Sequence, residues 1–271
     1  MAIRIGTSGF MYEHWRRRFY PPGARGSELE FYARTFDTVE LNVTFYRMPN
    51  STTFRAWARR VPDDFVFAVK ASRYLTHIKR LRDPRDSVDY FMERASELGS
   101  HLGPVLLQLP PDLPLDLDRL VDVLDAFPRR IKLAVEPRHH SWFVDEVRKV
   151  LDGRQAALCL ADRRRPVTPL WRTADWGYLR FHSGAATPRS CYGERALHSW
   201  ADRLCATWGP DPSGYIYFNN DFNGCALRDA STFARMLTTR GVTVSSAPEI
   251  GDEVLRDPGR ERDRPSLKLV G

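Results

Sequence analysis

Eight short apolar runs recur along the chain, each bounded by turn or polar residues. They are IRIG from Ile3, TVELNV from Thr38, FVFAV from Phe65, VLLQL from Val105, IKLAV from Ile131, AALCLA from Ala156, GYLRFH from Gly177 and GYIYFN from Gly214. Little polar alternation interrupts them, which is the pattern of strands covered on both faces in a parallel sheet. Between most of the runs, apolar residues recur at helical spacing. Leu117, Leu120, Val121 and Leu124 fall at i, i+3, i+4 and i+7 and predict one apolar helix face. Val88, Phe91, Ala95 and Leu98 repeat the spacing; Phe143, Val147, Val150 and Leu151 follow it loosely, and Ala230, Phe233 and Leu237 mark the last helix. The segment 162–176 holds Pro166 and Pro169 and predicts a degenerate helix between strands six and seven.

Alternating strands and helices predict an α/β fold with a parallel sheet. Eight strands in ~250 residues predict a closed (β/α)8 barrel of the TIM type. A doubly wound open sheet is the competing topology, but GTSGFMYEHW after the first strand is not the GxGxxG of a nucleotide-binding turn. With no internal repeat and no linker, the expectation is one domain over 1–250 and a charged, aperiodic extension over 251–271.

Charge adds a bias toward anions. The chain of 271 residues carries a net charge of +7, with clusters at Arg16, Arg17, Arg18 and at Arg163, Arg164, Arg165. Such a surface favours anionic small molecules or nucleic acid, although arginine-rich composition alone would also produce it. The chain enters an apolar strand almost at once, without a signal-peptide core, and no run approaches the ~20 residues of a membrane span. Cys159, Cys191, Cys205 and Cys225 are scattered and form no CxxC, so four reduced thiols in a cytoplasmic protein are expected.

A barrel of this type places its site at the C-terminal ends of the strands. That turns the strand list into a candidate list. Strand two carries Glu40 and Asn42, strand three Lys70 with His77 beyond it, and strand four Gln108. Strand five ends in Glu136, Arg138 and His139, followed by Trp142; strand six ends in Asp162. Strand seven carries Arg180 and His182 with Tyr192 on the loop beyond, and strand eight ends in Asn219, Asn220 and Asp221. Any one of these could be a satisfied polar plug, and Lys70 or Arg180 could simply pair with Glu136 or Asp162. Their convergence on one end points to a pocket.

Lys70, Arg138 and Arg180 suit capture of a carboxylate or phosphate. Glu136 and Asp162 supply bases, and His139 and His182 supply proton carriers. Tyr12, Trp15, Tyr46, Trp142 and Tyr192 could stack on a ring. Glu136, Asp162, His182 and Asp221 could also hold a divalent metal, but no pair has a diagnostic spacing such as HExxH and the neighbouring cations oppose it. Ser8 lies in TSG and not in a GxSxG elbow.

The ordered motifs GTSGF, FDTVELNVTFYRMP, FVFAVKASRYLTH, LLQLPP, EPRHHSW, YLRFH and YIYFNND resemble those of the YecE-like family, a domain of unknown function. The resemblance runs from Ile3 to Leu237 and implies a TIM-type barrel with its motifs around one mouth. Glu40, Asn42, Lys70, His77, Gln108, Glu136, Arg138, His139, Asp162, Arg180, His182, Asn219, Asn220 and Asp221 match. Pro137, Val43, Ser183 and Asp229 depart from the family's usual residues. The family is also distantly similar to barrels of the endonuclease IV and xylose isomerase type, an analogy of fold alone.

Three functions compete with a non-catalytic scaffold. The first is a hydrolase-like enzyme on a phosphate- or carboxylate-bearing substrate, with Lys70, Arg138 and Arg180 on the anion, Glu136 or Asp162 as base and His139 or His182 as acid. The second is a nucleic-acid-binding protein using the arginine clusters with Trp15 and Phe19. The third is a glycosidase built on Glu40 and Glu136.

Overall fold

Strand phase decides the layout. Alternate side chains of a strand point to opposite faces, so a closed sheet sends one set inside the barrel and the other against the surrounding helices. In the computed structural model, which describes residues 2–163, 167–187 and 190–255, the eight runs become β1 (Ile3–Ser8), β2 (Thr38–Leu41), β3 (Val66–Lys70), β4 (Leu102–Gln108), β5 (Leu133–Glu136), β6 (Ala157–Asp162), β7 (Gly177–Phe181) and β8 (Gly214–Phe218). They pair in parallel in chain order, and β1 closes onto β8. The predicted barrel is therefore the observed one.

The outward set, including Val39, Leu41, Phe67, Val69, Leu133, Val135, Leu179 and Phe181, forms the main apolar core with the helices. The inward set forms a separate interior cluster in which Ala68, Ala134 and Ala157 leave room for Trp176, Tyr178 and Tyr217. Thr38 belongs to the same layer, its hydroxyl 2.6 Å from that of Tyr217. Two residues further along these strands stand Glu40, Lys70, Gln108, Glu136 and Arg180. The period of two thus stacks them as a polar layer on the apolar floor, at the C-terminal end of the barrel.

The helices are α1 (Glu28–Ala33), α2 (Val43–Tyr46), α3 (Ser51–Ala58), α4 (Arg85–Ala95), α5 (Leu117–Ala126), α6 (Asp145–Arg154), α7 (Glu194–Trp208) and α8 (Cys225–Thr238). In α5 the buried face is Leu120, Val123 and Leu124, while Val121 is 39% exposed; the apolar stripe is rotated from the predicted one. Helix α7 was missed, although Leu197, Trp200, Ala201 and Leu204 lie three to four apart and are buried. Among the described residues no helix joins β6 to β7. Thr173 closes that gap instead: its hydroxyl donates to the carbonyl of Ala156 at 2.7 Å and accepts from the amide of Leu158 at 2.8 Å.

One expectation needs correction. Cys191 and Cys225 form a disulfide across 34 positions, which overturns the expectation of four reduced thiols. The pair joins the loop after β7 to the start of α8, a proximity created by the fold and invisible in local spacing. Cys159 and Cys205 are free. At the start of the extension a 3-10 turn spans Asp252–Leu255 and buries Val254; residues 256–271 lie outside the described residues. Among the described residues no helix is long and apolar enough to cross a membrane.

Gly177 and Gly214 face each other in register where β7 and β8 begin. A Cβ on Gly214 would lie 2.5 Å from the carbonyl oxygen of Gly177. Gly214→Ala is expected to lose about 1–3 kcal/mol by overpacking, read as a lower urea midpoint. A midpoint equal to wild type would show that the strand starts do not need this approach.

Candidate functional site

The polar layer is organised by one guanidinium. Arg180, on β7 and fully enclosed, donates from Nη2 to Glu40 Oε1 at 2.8 Å and from Nη1 to Glu136 Oε2 at 2.6 Å. It therefore spans the barrel from β2 to β5. Each carboxylate has further donors. Glu40 accepts from the Ser8 hydroxyl at 2.7 Å and from the Tyr178 hydroxyl at 2.6 Å. Glu136 accepts from Gln108 Nε2 at 2.8 Å, and its other oxygen lies 3.1 Å from His182 Nε2.

Burial alone would push both carboxyl groups up. The charge of Arg180, with the hydrogen bonds from Tyr178 and Ser8 to Glu40 and from His182 to Glu136, outweighs it. Both end below the ordinary glutamate value, Glu136 well below. The same balance acts on Arg180: burial opposes its charge, but Glu40 and Glu136 hold it firmly protonated. Two buried anions sharing a buried cation are stable only as a set, because removing one partner leaves an uncompensated charge in a dry interior.

Around this bridge lie cations and imidazoles with fewer partners. The Lys70 ammonium sits 3.9 Å over the ring of Phe45. Burial, then repulsion from Arg180, lowers its pKa to about 8. Arg138 reaches Glu136 only at 3.4 and 3.5 Å. His77 packs edge-on against Phe45, centroids 4.9 Å apart, and burial with the nearby charges of Lys70 and Arg138 lowers its pKa to about 4. His182 is also held below its ordinary value, first by burial and against the pull of Glu136. Because Glu136 is ionised and can only accept, His182 Nε2 carries the proton. Its Nδ1 lone pair then faces Asn219 Nδ2 at 3.4 Å.

Other predicted residues serve the loops. His139 caps a 3-10 turn, with its Nδ1 2.8 Å from the Ser141 hydroxyl. Trp142 is fully buried and donates to the carbonyl of Leu113 at 2.8 Å, so it cannot stack on a ligand. Tyr192 is buried, and its hydroxyl bonds Asp162 and the amide of Ser183. Asn220 and Asp229 join in a knot with the amide of Tyr192 and the carbonyl of Ser190. Asp221 accepts from Trp15 Nε1 at 2.8 Å and lies 2.6 Å from His14 Nε2. Trp15 is itself enclosed, whereas Tyr46 is 80% exposed. Among the described residues, Asn42 Oδ1 is buried without a hydrogen-bond partner. Arg164 and Arg165 lie outside the described residues.

Tyr178 and Phe45 are the site residues that sequence reasoning missed. Tyr178 lies two positions before Arg180 and was detectable by strand phase. Nothing local marks Phe45 as the seat of Lys70. With Asp162 and Asp221 tied into separate loops, no three His, Cys, Asp or Glu side chains gather into a metal-holding group among the described residues. The arrangement offers two loosely partnered cations, one oriented neutral imidazole and a locked anionic floor.

Fold and mouth together define a single-domain (β/α)8 barrel closed at its C-terminal end by a carboxylate–guanidinium–carboxylate bridge. The family model "Protein of unknown function DUF72" matches residues 4–252, and the chain belongs to that family. It is 36% identical over 142 residues to UPF0759 protein YecE of Escherichia coli, a stretch covering 52% of this chain and 50% of the relative. It is 28% identical over 150 residues to UPF0759 protein YunF of Bacillus subtilis, covering 52% of each. The chain thus spans about half the length of the curated relatives it matches. A DUF72 family structure from Thermotoga maritima superposes with a TM-score of 0.76 at 28% identity, covering 88% of this chain and 100% of that one. One from Enterococcus faecalis gives 0.72 at 20% identity, over 88% and 98%, a likeness of fold.

Arg180→Met is expected to lose on the order of 3–5 kcal/mol at pH 7 by stranding two buried carboxylates. The sign of its pH dependence should also invert. In wild type the lowered carboxyl pKa values give stability that is lost as pH falls through them. In the variant the stranded groups bind protons more tightly than in the unfolded chain, so stability is lost as pH rises. Denaturant melts from about pH 3 to 8, a range that extends below the ordinary glutamate value, check this; parallel slopes in the two proteins would refute the bridge.

Proposed function

We propose that this barrel is an enzyme acting on an anionic small molecule, bearing a phosphate or carboxylate group, at its C-terminal mouth. The observation that carries the reading is the Lys70 ammonium, buried beside the mouth with an aromatic face beneath it and Arg138 only loosely held by Glu136. Cations left under-neutralised in a low-dielectric site favour an incoming anion. Arg180 has no such freedom, since both its Nη atoms are committed to carboxylates.

The roles then differ from the simplest assignment. Glu136 is too firmly ionised to serve as a general base near neutral pH. It orients His182, and the neutral imidazole moves the proton through Nδ1, with Asn219 alongside. Hydrolysis is the reaction that asks least of these groups. A water attacks the phosphorus or acyl carbon, His182 takes its proton, the bond to the leaving oxygen breaks, and that oxygen leaves with the proton. Lys70 and Arg138 neutralise the charge that develops.

The two competing functions draw less support. A glycosidase needs one carboxyl group kept protonated as an acid, and Arg180 holds both Glu40 and Glu136 ionised. A nucleic-acid surface on Arg16, Arg17 and Arg18 lacks its stacking rings: Trp15 is enclosed, and Phe19 packs edge-on against it at 5.5 Å.

Calorimetry with inorganic phosphate and malonate at low ionic strength tests the reading. Binding is expected at pH 7, weaker by about tenfold or more in Lys70→Met, which keeps an apolar stem against Phe45. In wild type it should weaken as pH rises through about 8, where Lys70 loses its charge. Absence of binding by either anion, or a Lys70→Met affinity equal to wild type, would overturn it.

A further inference from the structure

A cavity shares the ring of Phe45 with the mouth. It has a volume of about 510 Å³ and lies between α4, the α2 segment and the chain that follows β3. Its walls include Phe45, Tyr46, Tyr74, Tyr90 and Arg73. Three of these rings are unusually open to solvent, Tyr46 at 80% and Tyr74 and Tyr90 at 53% each. The Tyr90 ring carries the Arg94 guanidinium 3.6 Å from its centroid, so Tyr46 and Tyr74 offer the more open faces, a surface suited to a planar ring.

The segment that shapes this cavity is locally unusual. Tyr74–Ile78 is a single π-turn, with the amide of Lys79 donating to the carbonyl of Tyr74 at 2.8 Å. Such turns occur mostly where a helix is distorted to place side chains. Directly after it, Arg80, Leu81 and Asp83 have φ of 52°, 64° and 41°, the left-handed region that non-glycine residues rarely occupy. The distortion has a visible result: the π-turn aims Tyr74 into the cavity's wall and His77 at Phe45.

Phe45 links cavity and mouth. It lines the cavity, and its ring carries the Lys70 ammonium at 3.9 Å. Arg73, three residues beyond Lys70, makes no ion pair among the described residues. Lys79 lies near the Tyr74 ring at 5.8 Å. Asp86 also lines the cavity, so the cations dominate without being unopposed.

We propose that this cavity is the ring subsite of the mouth: it takes the planar aromatic or heteroaromatic ring of a ligand whose acidic group reaches Lys70 and Arg138. This rests on the anion-binding reading of the mouth and names its substrate class, an aryl or nucleobase-bearing phosphate or carboxylate. The ring lies against Tyr46 and Tyr74, and Arg73 and Lys79 add positive charge at the cavity's edge.

Calorimetry on the full chain with three probes separates the two readings. The probes are inorganic phosphate, phenyl phosphate and adenosine 5′-monophosphate. At least one ring-bearing probe should bind about tenfold or more tightly than inorganic phosphate, the scale of a stacking contact. Tyr46→Ala/Tyr74→Ala should abolish that excess and leave the affinity for inorganic phosphate unchanged. Preference for the adenosine probe identifies a nucleobase, and preference for phenyl phosphate a single ring; both support the subsite. Equal affinity for all three probes, or an excess that survives the double substitution, overturns the subsite and leaves anion binding at the mouth standing. No binding of any probe overturns both.

Discussion

The barrel mouth depends on Arg180. A fully buried guanidinium joins carboxylates on β2 and β5, and the charge state of the mouth follows from it. It holds Glu136 ionised, an ionised Glu136 fixes the tautomer of His182, and its charge helps lower the pKa of Lys70. It also keeps two acids from acting as acids. Such a bridge is weak evidence for stability, since desolvation offsets most of the attraction. Its value is geometric: three strands are held in one register around a charge pattern that an apolar core could not produce.

The polar layer was legible from the sequence because strand phase is exact in its consequences. Each of Glu40, Lys70, Gln108, Glu136 and Arg180 lies two positions beyond an inward-facing residue near the end of an apolar run. The eight runs and their order were equally plain, since a strand buried on both faces has little polar alternation to confuse it. That no helix precedes β7 among the described residues was legible in Pro169.

What was not legible belongs to the loops. Trp142, Tyr192 and Asp221 follow strand ends as the site residues do, and chemistry alone would admit them. Their burial and their partners at Leu113, Asp162 and His14 come from contacts between loops far apart in sequence. The Cys191–Cys225 pair arises in the same way. His139 also caps the next turn through Ser141, a local hydrogen bond that sequence does not announce. Phe45 was overlooked for the opposite reason: an apolar ring contributes to this site by the face it turns to Lys70, which only the packing decides.

The central claim is that Arg180 keeps both buried carboxylates charged. It is tested most directly by following the side-chain carboxyl carbons of Glu40 and Glu136 by nuclear magnetic resonance as pH is lowered in labelled protein. Both signals should remain at their ionised positions below the ordinary glutamate pKa of 4.5, with Glu136 the more resistant. Protonation of either group at or above that value, while the chain is still folded, would contradict the account.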